Sequence, residues 1–277
     1  MAKAANKETA GGVTRLVSHL ARAFRERENL TQKELGAMLG YSAAAVSAVE
    51  TCAQPASDEM LAKMEAVIGA GMGVFEVARE LVRLDRYPLQ FQDFILLEQN
   101  ALTLCSFEPQ VIYGIFQTEA YARALIAGGF PVLSDGRVNE LVEARIARTV
   151  LFDRDPVALI EFIVDESALH RVIGSKALMR EQCRHLAQLA RRRNVTVQVL
   201  PLDCGLFGEH AGVRGGMHLV ETPKHERLVY MEAQDESLLI SDPTKVSTYS
   251  QRYAKIRAQA LGPRESLDLI ERLAGDP

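Results

Sequence analysis

Two carboxylates follow an apolar run in this chain, Asp165-Glu166 after residues 157–164, with His170 close behind and Asp203 and His210 further on. Carboxylates at a strand end can act as general acid and base. The commoner use of such residues is to cap helices and satisfy loop amides, and Asp165 stands just ahead of a helix start at Ser167. Cys204, His210 and His218 have the side chains of a metal site, but their spacing matches no familiar ligand motif. The four cysteines, Cys52, Cys105, Cys183 and Cys204, show no C-x-x-C pair and read as reduced, packed residues. The sequence has no G-x-S-x-G, H-E-x-x-H or Walker pattern. The expectation is a protein with no catalytic residue, no cofactor and no metal.

The charges point elsewhere. The 277 residues carry a formal charge of −4, which argues against sequence-independent coating of nucleic acid. Yet Lys3, Lys7, Arg15, Arg22, Arg25, Arg27 and Lys33 crowd the start, ahead of an acidic stretch over residues 35–85. If DNA is bound, this first segment must supply most of the attraction. Hydrophobic residues make up 48% of the chain, enough to bury a sizeable core. Residues 1–12 read as a flexible arm without the apolar segment of a leader or anchor, and no stretch suits a membrane span, so a cytoplasmic location is expected.

Five short helices are expected over residues 13–84. In the first, residues 13–27, Leu16, Leu20, Ala23 and Phe24 recur at helical spacing. Thr31 caps the second, with Glu34 completing a capping box and Leu35, Met38 and Leu39 on the buried side. Gly40 suits a left-handed turn and Ser42 caps a third helix reaching about Thr51. A fourth helix follows Pro55-Ala56-Ser57-Asp58 with Met60, Leu61, Met64, Val67 and Ile68 inward, and a break at residues 69–73 precedes the last, residues 74–84. A short helix, a glycine turn and a second helix form the unit that fits a DNA major groove.

The runs Leu30-Thr31-Gln32-Lys33-Glu34-Leu35, Leu39-Gly40-Tyr41-Ser42 and Val46-Ser47-Ala48-Val49-Glu50 resemble the helix-turn-helix of the XRE, Cro and phage-repressor group. The resemblance implies that Gln32 meets a backbone phosphate. It puts Ala43, Ala44, Ser47 and Ala48 toward base edges and has Arg25 and Glu50 tie the first helix to the recognition helix. Arg25, Gln32, Lys33, Ser42, Ala43, Ala44, Ser47, Ala48 and Thr51 make up the implied DNA-binding set. The chain departs from the group in that its reading surface is nearly all alanine, so bidentate base recognition is unavailable. Methyl contacts to thymine and readout of DNA shape remain. Thr51-Cys52-Ala53-Gln54 also lacks the Arg or Lys that usually follows there, so weak or narrowly specific binding is expected.

The composition shifts at residues 83–88, where the helix must end before Pro88. Residues 85–277 read as a mixed α+β domain. Helices are expected at residues 91–100, 121–127, 136–152, 176–192, 243–261 and 264–274, and strands at 157–164, 195–200, 217–221 and 228–231. The spacing of the first two strands permits a parallel pair without a glycine-rich phosphate loop; Gly205, Gly208, Gly212, Gly215 and Gly216 fall in a later loop. The whole reads as α+β, an all-α helix-turn-helix bundle followed by this domain.

Phe107-Glu108-Pro109, the run Gln117-Thr118-Glu119-Ala120-Tyr121-Ala122-Arg123, Asp165-Glu166-Ser167-Ala168-Leu169 and the stretch from Asn194 to Pro201 resemble WhiJ-like regulators. That resemblance implies a regulator working with a small partner protein, often encoded beside it, in an arrangement likened to toxin and antitoxin pairs. Tyr113, Phe116 and Tyr121 are the candidate aromatic anchors for such a partner, and Arg123, Arg145 and Arg148 a candidate basic pocket, although core packing and solvated helix faces are the commoner fates of these types. A homodimer on paired half-sites of double-stranded DNA is expected, because one short recognition helix contacts few bases. An antitoxin-like protein with little DNA affinity is the alternative.

Overall fold

A computed structural model describes residues 12–85, 89–206, 210–234 and 236–275. The chain divides into two compact units, residues 1–89 and 90–277. The expected arm with Lys3 and Lys7, the composition shift at residues 86–88 and the expected loop glycine Gly208 lie outside the described residues.

The first unit is all helical: α1 (Gly12–Arg27), α2 (Gln32–Leu39), α3 (Ala43–Glu50), α4 (Asp58–Ile68) and α5 (Val74–Asp85). Its core gathers Val17, Ala21, Leu35, Leu39, Val46, Val49, Met60, Leu61, Met64, Ile68 and Phe75. Three expected inward positions are corrected. Leu16 and Ala23 face solvent, because the packed face of α1 is rotated onto Val17 and Ala21 with Val13, Leu20 and Phe24 beside them. Met38 is exposed as well, since the i, i+4 pair Leu35 and Leu39 already spans the inward face of the short α2.

The second unit is built on a six-stranded mixed sheet: β1 (Thr103–Glu108), β2 (Leu159–Asp165), β3 (Val195–Leu200), β4 (Met217–Glu221), β5 (Arg227–Ala233) and β6 (Glu236–Ile240), in spatial order β3-β2-β1-β4-β5-β6. β1, β2 and β3 run parallel; β4, β5 and β6 are antiparallel to their neighbours. One face, carrying Leu104, Phe162, Val197 and Tyr230, packs against α6 (Leu89–Asn100), α7 (Glu119–Ala127), α10 (Lys176–Ala190) and α12 (Pro263–Ala274). The other, carrying Phe107, Ile163 and Met217, is covered by Tyr253 and Ile256 of α11 (Pro243–Gln259). Helices on both faces explain why β2 and β3 read as largely apolar runs.

The remaining helices are α8 (Asp135–Ala147) and the short α9 (Glu166–His170). The α+β class holds, and so does the parallel β2/β3 pair. β1 and β6 were not anticipated. The Thr-Leu-Cys-Ser-Phe-Glu of β1 has one β-branched residue, and the Glu-Ser-Leu-Leu-Ile of β6 is rich in leucine, so neither shows a strand composition. The helix expected over residues 136–152 ends at Ala147 and tightens into a 3₁₀ turn, Arg148–Phe152.

The two sheet edges differ. At β3 the Val199 amide donates to Ser266 Oγ at 2.9 Å, the Val199 carbonyl accepts from the Leu261 amide at 2.9 Å, and Gln198 donates its side-chain amide to the Leu261 carbonyl at 2.8 Å. The connection into α12 thus plugs that edge. Beyond β6 no further strand is paired among the described residues.

Candidate nucleic-acid interface

Local chemistry fixes the α2–turn–α3 unit. Thr31 Oγ1 accepts from the Glu34 amide at 3.2 Å while Glu34 Oε2 accepts from the Thr31 amide at 2.8 Å, the reciprocal capping box. Gly40 ends α2 at φ +76°, a conformation that costs glycine least. Gly36 was missed from sequence: a Cβ there would stand 2.7 Å from the Tyr41 carbonyl oxygen, so the turn can fold back on α2 only over a bare backbone. Ser42 Oγ then accepts from the Ala45 amide at 3.1 Å and starts α3.

The angle between α1 and α3 is held by an ion pair. Arg25 Nε and Nη2 donate to the two carboxylate oxygens of Glu50 at 2.6 and 2.9 Å, and Arg25 Nη1 donates to the Leu30 carbonyl at 2.7 Å. Gln32 joins this pair, donating to Glu50 Oε2 at 2.9 Å. Burial pushes the Glu50 carboxyl upward, but hydrogen bonds from Arg25 and Gln32 and the charge of Arg25 hold it below the ordinary value. Arg25 and Gln32, both in the expected DNA set, are therefore engaged inside the unit. These bonds orient α3.

The rest of that set divides by exposure. Lys33, Ser42, Ala43 and Ala44 are exposed, whereas Ser47 and Ala48 are half-buried on the next turn of α3. The exposed Thr51 donates its hydroxyl to the Ser47 carbonyl at 2.7 Å and closes the C-terminal end of α3. Of the five described cations of the cluster, three are paired, Arg25 with Glu50 as above. Arg22 pairs with Glu26, and Arg27 with Glu28, with the Ile68 carbonyl and with the face of Phe24. Among the described residues Arg15 and Lys33 keep side-chain charges with no ion pair.

In the second unit the candidate partner-binding residues are mostly core. Tyr113, Phe116 and Tyr121 are buried in the main cluster, so they are not surface anchors. Arg148 does not belong to a surface pocket either. Its side chain is 2% exposed and donates from Nε and Nη2 to the two oxygens of the equally buried Glu98, each at 2.7 Å. The Tyr113 hydroxyl also donates to Glu98, and burial with that carboxylate beside it raises the phenol well above its ordinary value. Arg145 is half-buried and donates to Gln117 Oε1 at 3.1 Å. Only Arg123 lies on an open face, on α7, held by Asn139 and Glu119. The expected pocket of three arginines is thus corrected: packing on a mixed sheet took Arg148 inward, where a carboxylate from α6 was waiting.

The catalytic-looking residues have structural employment. Asp165 caps α9, accepting from the Ser167 amide at 2.9 Å, and Glu166 accepts from the Leu202 amide at 3.0 Å. Another constellation appears that the sequence did not suggest: His218 Nδ1 stands 2.9 Å from Ser106 Oγ and Nε2 stands 3.3 Å from Glu108 Oε1. These are the types of a Ser-His-acid triad, but Ser106 is 1% exposed, so its hydroxyl meets no substrate. Burial pushes the Cys105 thiol up to about 12 and the Cys183 thiol to about 11, which keeps both protonated at neutral pH. Cys204 packs with the Phe107 cluster while His218 projects from the opposite sheet face. Among the described residues no group of three or more His, Cys, Asp or Glu could hold a metal ion.

Among the described residues no helix is long and apolar enough to cross a membrane. No curated protein and no solved structure matches the chain. A helix-turn-helix family model (HTH_3) matches residues 22–75, spanning the cap, turn and ion pair described above, and this match suggests a DNA-binding regulator of XRE type. A second model matches residues 91–272, more than half of the 277, and the chain therefore belongs to the family described as Domain of unknown function (DUF5753).

Proposed function

We propose that this protein is a cytoplasmic, non-enzymatic transcriptional regulator that binds double-stranded DNA as a homodimer and whose second unit receives a small partner protein that changes operator occupancy. The observation that carries the DNA reading is the intact α2–turn–α3 geometry, with both caps formed and the N-terminal end of α3 exposed. That end presents free amides, the Ser42 hydroxyl and alanine methyls, which suit a phosphate contact and close approach to thymine. The partner reading is supported by the resemblance to WhiJ-like regulators, and the dimer by the small reading surface of one α3.

Because most nearby arginines are paired internally, few phosphates are neutralised. Binding to DNA from upstream of the protein's own gene should weaken with salt along a shallow slope, about −2 to −4 in log K against log salt for a dimer. A gel-shift or anisotropy titration across salt concentrations checks this; binding that ignores salt, or no binding at low salt, defeats the reading. The second outcome would favour an antitoxin-like, partner-sequestering protein with little DNA affinity, the reading that the alanine surface of α3 supports.

A further inference from the structure

The open edge of the sheet has a specific chemical character. Leu238, Leu239 and Ile240 of β6 pair with β5 on one side, and none of the described hydrogen bonds from outside the sheet reaches their backbone. Sheet edges are ordinarily blunted by charge, proline or a covering segment, as β3 is by Ser266 and Leu261. β6 instead exposes Leu238 at 53% and Leu239 at 43%, one on each face of the sheet.

Between this edge and α11 lies a cavity of about 510 Å³, lined by Leu238, Ile240, Lys245, Tyr249 and Arg252 and by one carboxylate, Asp242, which is engaged as the cap of α11. Lys245, Thr248, Arg252 and Lys255 follow one another at i, i+3, i+7 and i+10, so they form one stripe of α11. Lys245 has no ion pair among the described residues, and Arg252 lies over the Tyr249 ring at 5.0 Å. In a chain of net charge −4, this is a cationic ridge beside an apolar strand edge.

We propose that an extended, acidic segment of a partner polypeptide adds to the sheet beside β6, with its apolar side chains on Leu238 and its carboxylates on Lys245 and Arg252. This rests on the reading that the second unit receives a protein partner, and says where and by what chemistry. Backbone pairing supplies affinity and the alternate side chains supply choice. A nucleic acid would use the cations but leave the leucines and the strand backbone unmet. A second copy pairing β6 to β6 about a two-fold axis would set two cationic ridges side by side, which opposes it.

The test uses the full chain as bait for a displayed library of random short peptides. Enriched peptides should carry acidic and apolar residues two positions apart, so that both fall on the face turned to α11, and adding one should slow amide exchange at residues 236–240. Lys245→Glu/Arg252→Glu should weaken binding by at least about tenfold, as should Leu238→Asp, each variant being checked for unchanged circular dichroism and DNA binding. Binders that ignore all three substitutions, or that carry no acidic residues, overturn the β6 site while leaving the partner reading standing. A library without any binder overturns the β6 site, whereas the partner reading falls only if no small protein accompanies the full chain from its native host. Concentration-dependent self-association abolished by Leu238→Asp would instead assign the edge to a second copy and overturn the proposal.

Discussion

Each unit contains a buried arginine–glutamate pair, and the two differ in how they are sealed. In the first unit Arg25 keeps 11% of its side chain in contact with solvent and has Glu26 at 3.7 Å as a second anion, while Glu50 also accepts from Gln32. In the second unit Arg148 and Glu98 are 2% and 1% exposed, closed over by the rings of Phe91 and Tyr113. The first pair sets a helix crossing at the rim of a small bundle and can relax toward water. The second has no such route, so each partner depends on the other. A buried pair is weak evidence of stabilisation in itself, but breaking one strands a charge, at a cost that grows with the completeness of its burial.

The largest effect should therefore come from Arg148→Ala, which leaves the buried Glu98 carboxylate with the Tyr113 hydroxyl but without its cation and should lower stability by about 3–5 kcal/mol. Chemical denaturation measures it, and the double variant Glu98→Gln/Arg148→Met should recover much of the loss. An Arg148→Ala protein as stable as the parent would show that the pair is not sealed.

Glu50→Ala should cost less, about 2–3 kcal/mol, because Arg25 can turn to Glu26 and solvent. It should also weaken DNA binding by loosening the attachment of α3. Glu50→Gln sharpens the comparison through pH. The folded Glu50 carboxyl titrates below its unfolded value, so its stabilisation is fully present above the unfolded value and lost as pH falls through the folded one. The parent should lose stability on acidification below about pH 4 more steeply than Glu50→Gln; parallel curves would remove Glu50 from the account.

The smallest effect belongs to the cap. Thr31→Ala should cost about 1 kcal/mol, with far-ultraviolet circular dichroism nearly unchanged, since it removes one acceptor from an exposed helix start. A loss as large as that of Arg148→Ala would mean that α2 depends on its cap more than on Leu35 and Leu39.

The first unit was legible because its signals are local. Thr31 with Glu34, Gly40 and Ser42 act within a few residues of themselves, so their roles can be read without knowing the fold. What stayed hidden there was rotation: whether Leu16 or Val17 faces inward depends on which neighbouring helix α1 meets. In the second unit the helices and the longer apolar strands showed through their periodicity, whereas β1 and β6 did not. β1 is a strand because β2 and β4 flank it, and its Cys and Ser fit a position pressed on both faces. Tyr113, Phe116 and Arg148 looked like surface chemistry for the same reason, as residue type alone does not say which side of a helix or turn a sheet will cover.

The sequence alone determined the caps, the turn and the order of helices and apolar runs, because these rest on hydrogen bonds and spacings closed within one or two turns of chain. Only the tertiary structure decided that Glu98 would meet Arg148 across fifty residues, that His218 would be sealed against Ser106, and that one edge of the sheet would be plugged and the other left open. Those outcomes depend on which distant segments share a core, and burial there is settled by packing partners that no single stretch of residues contains.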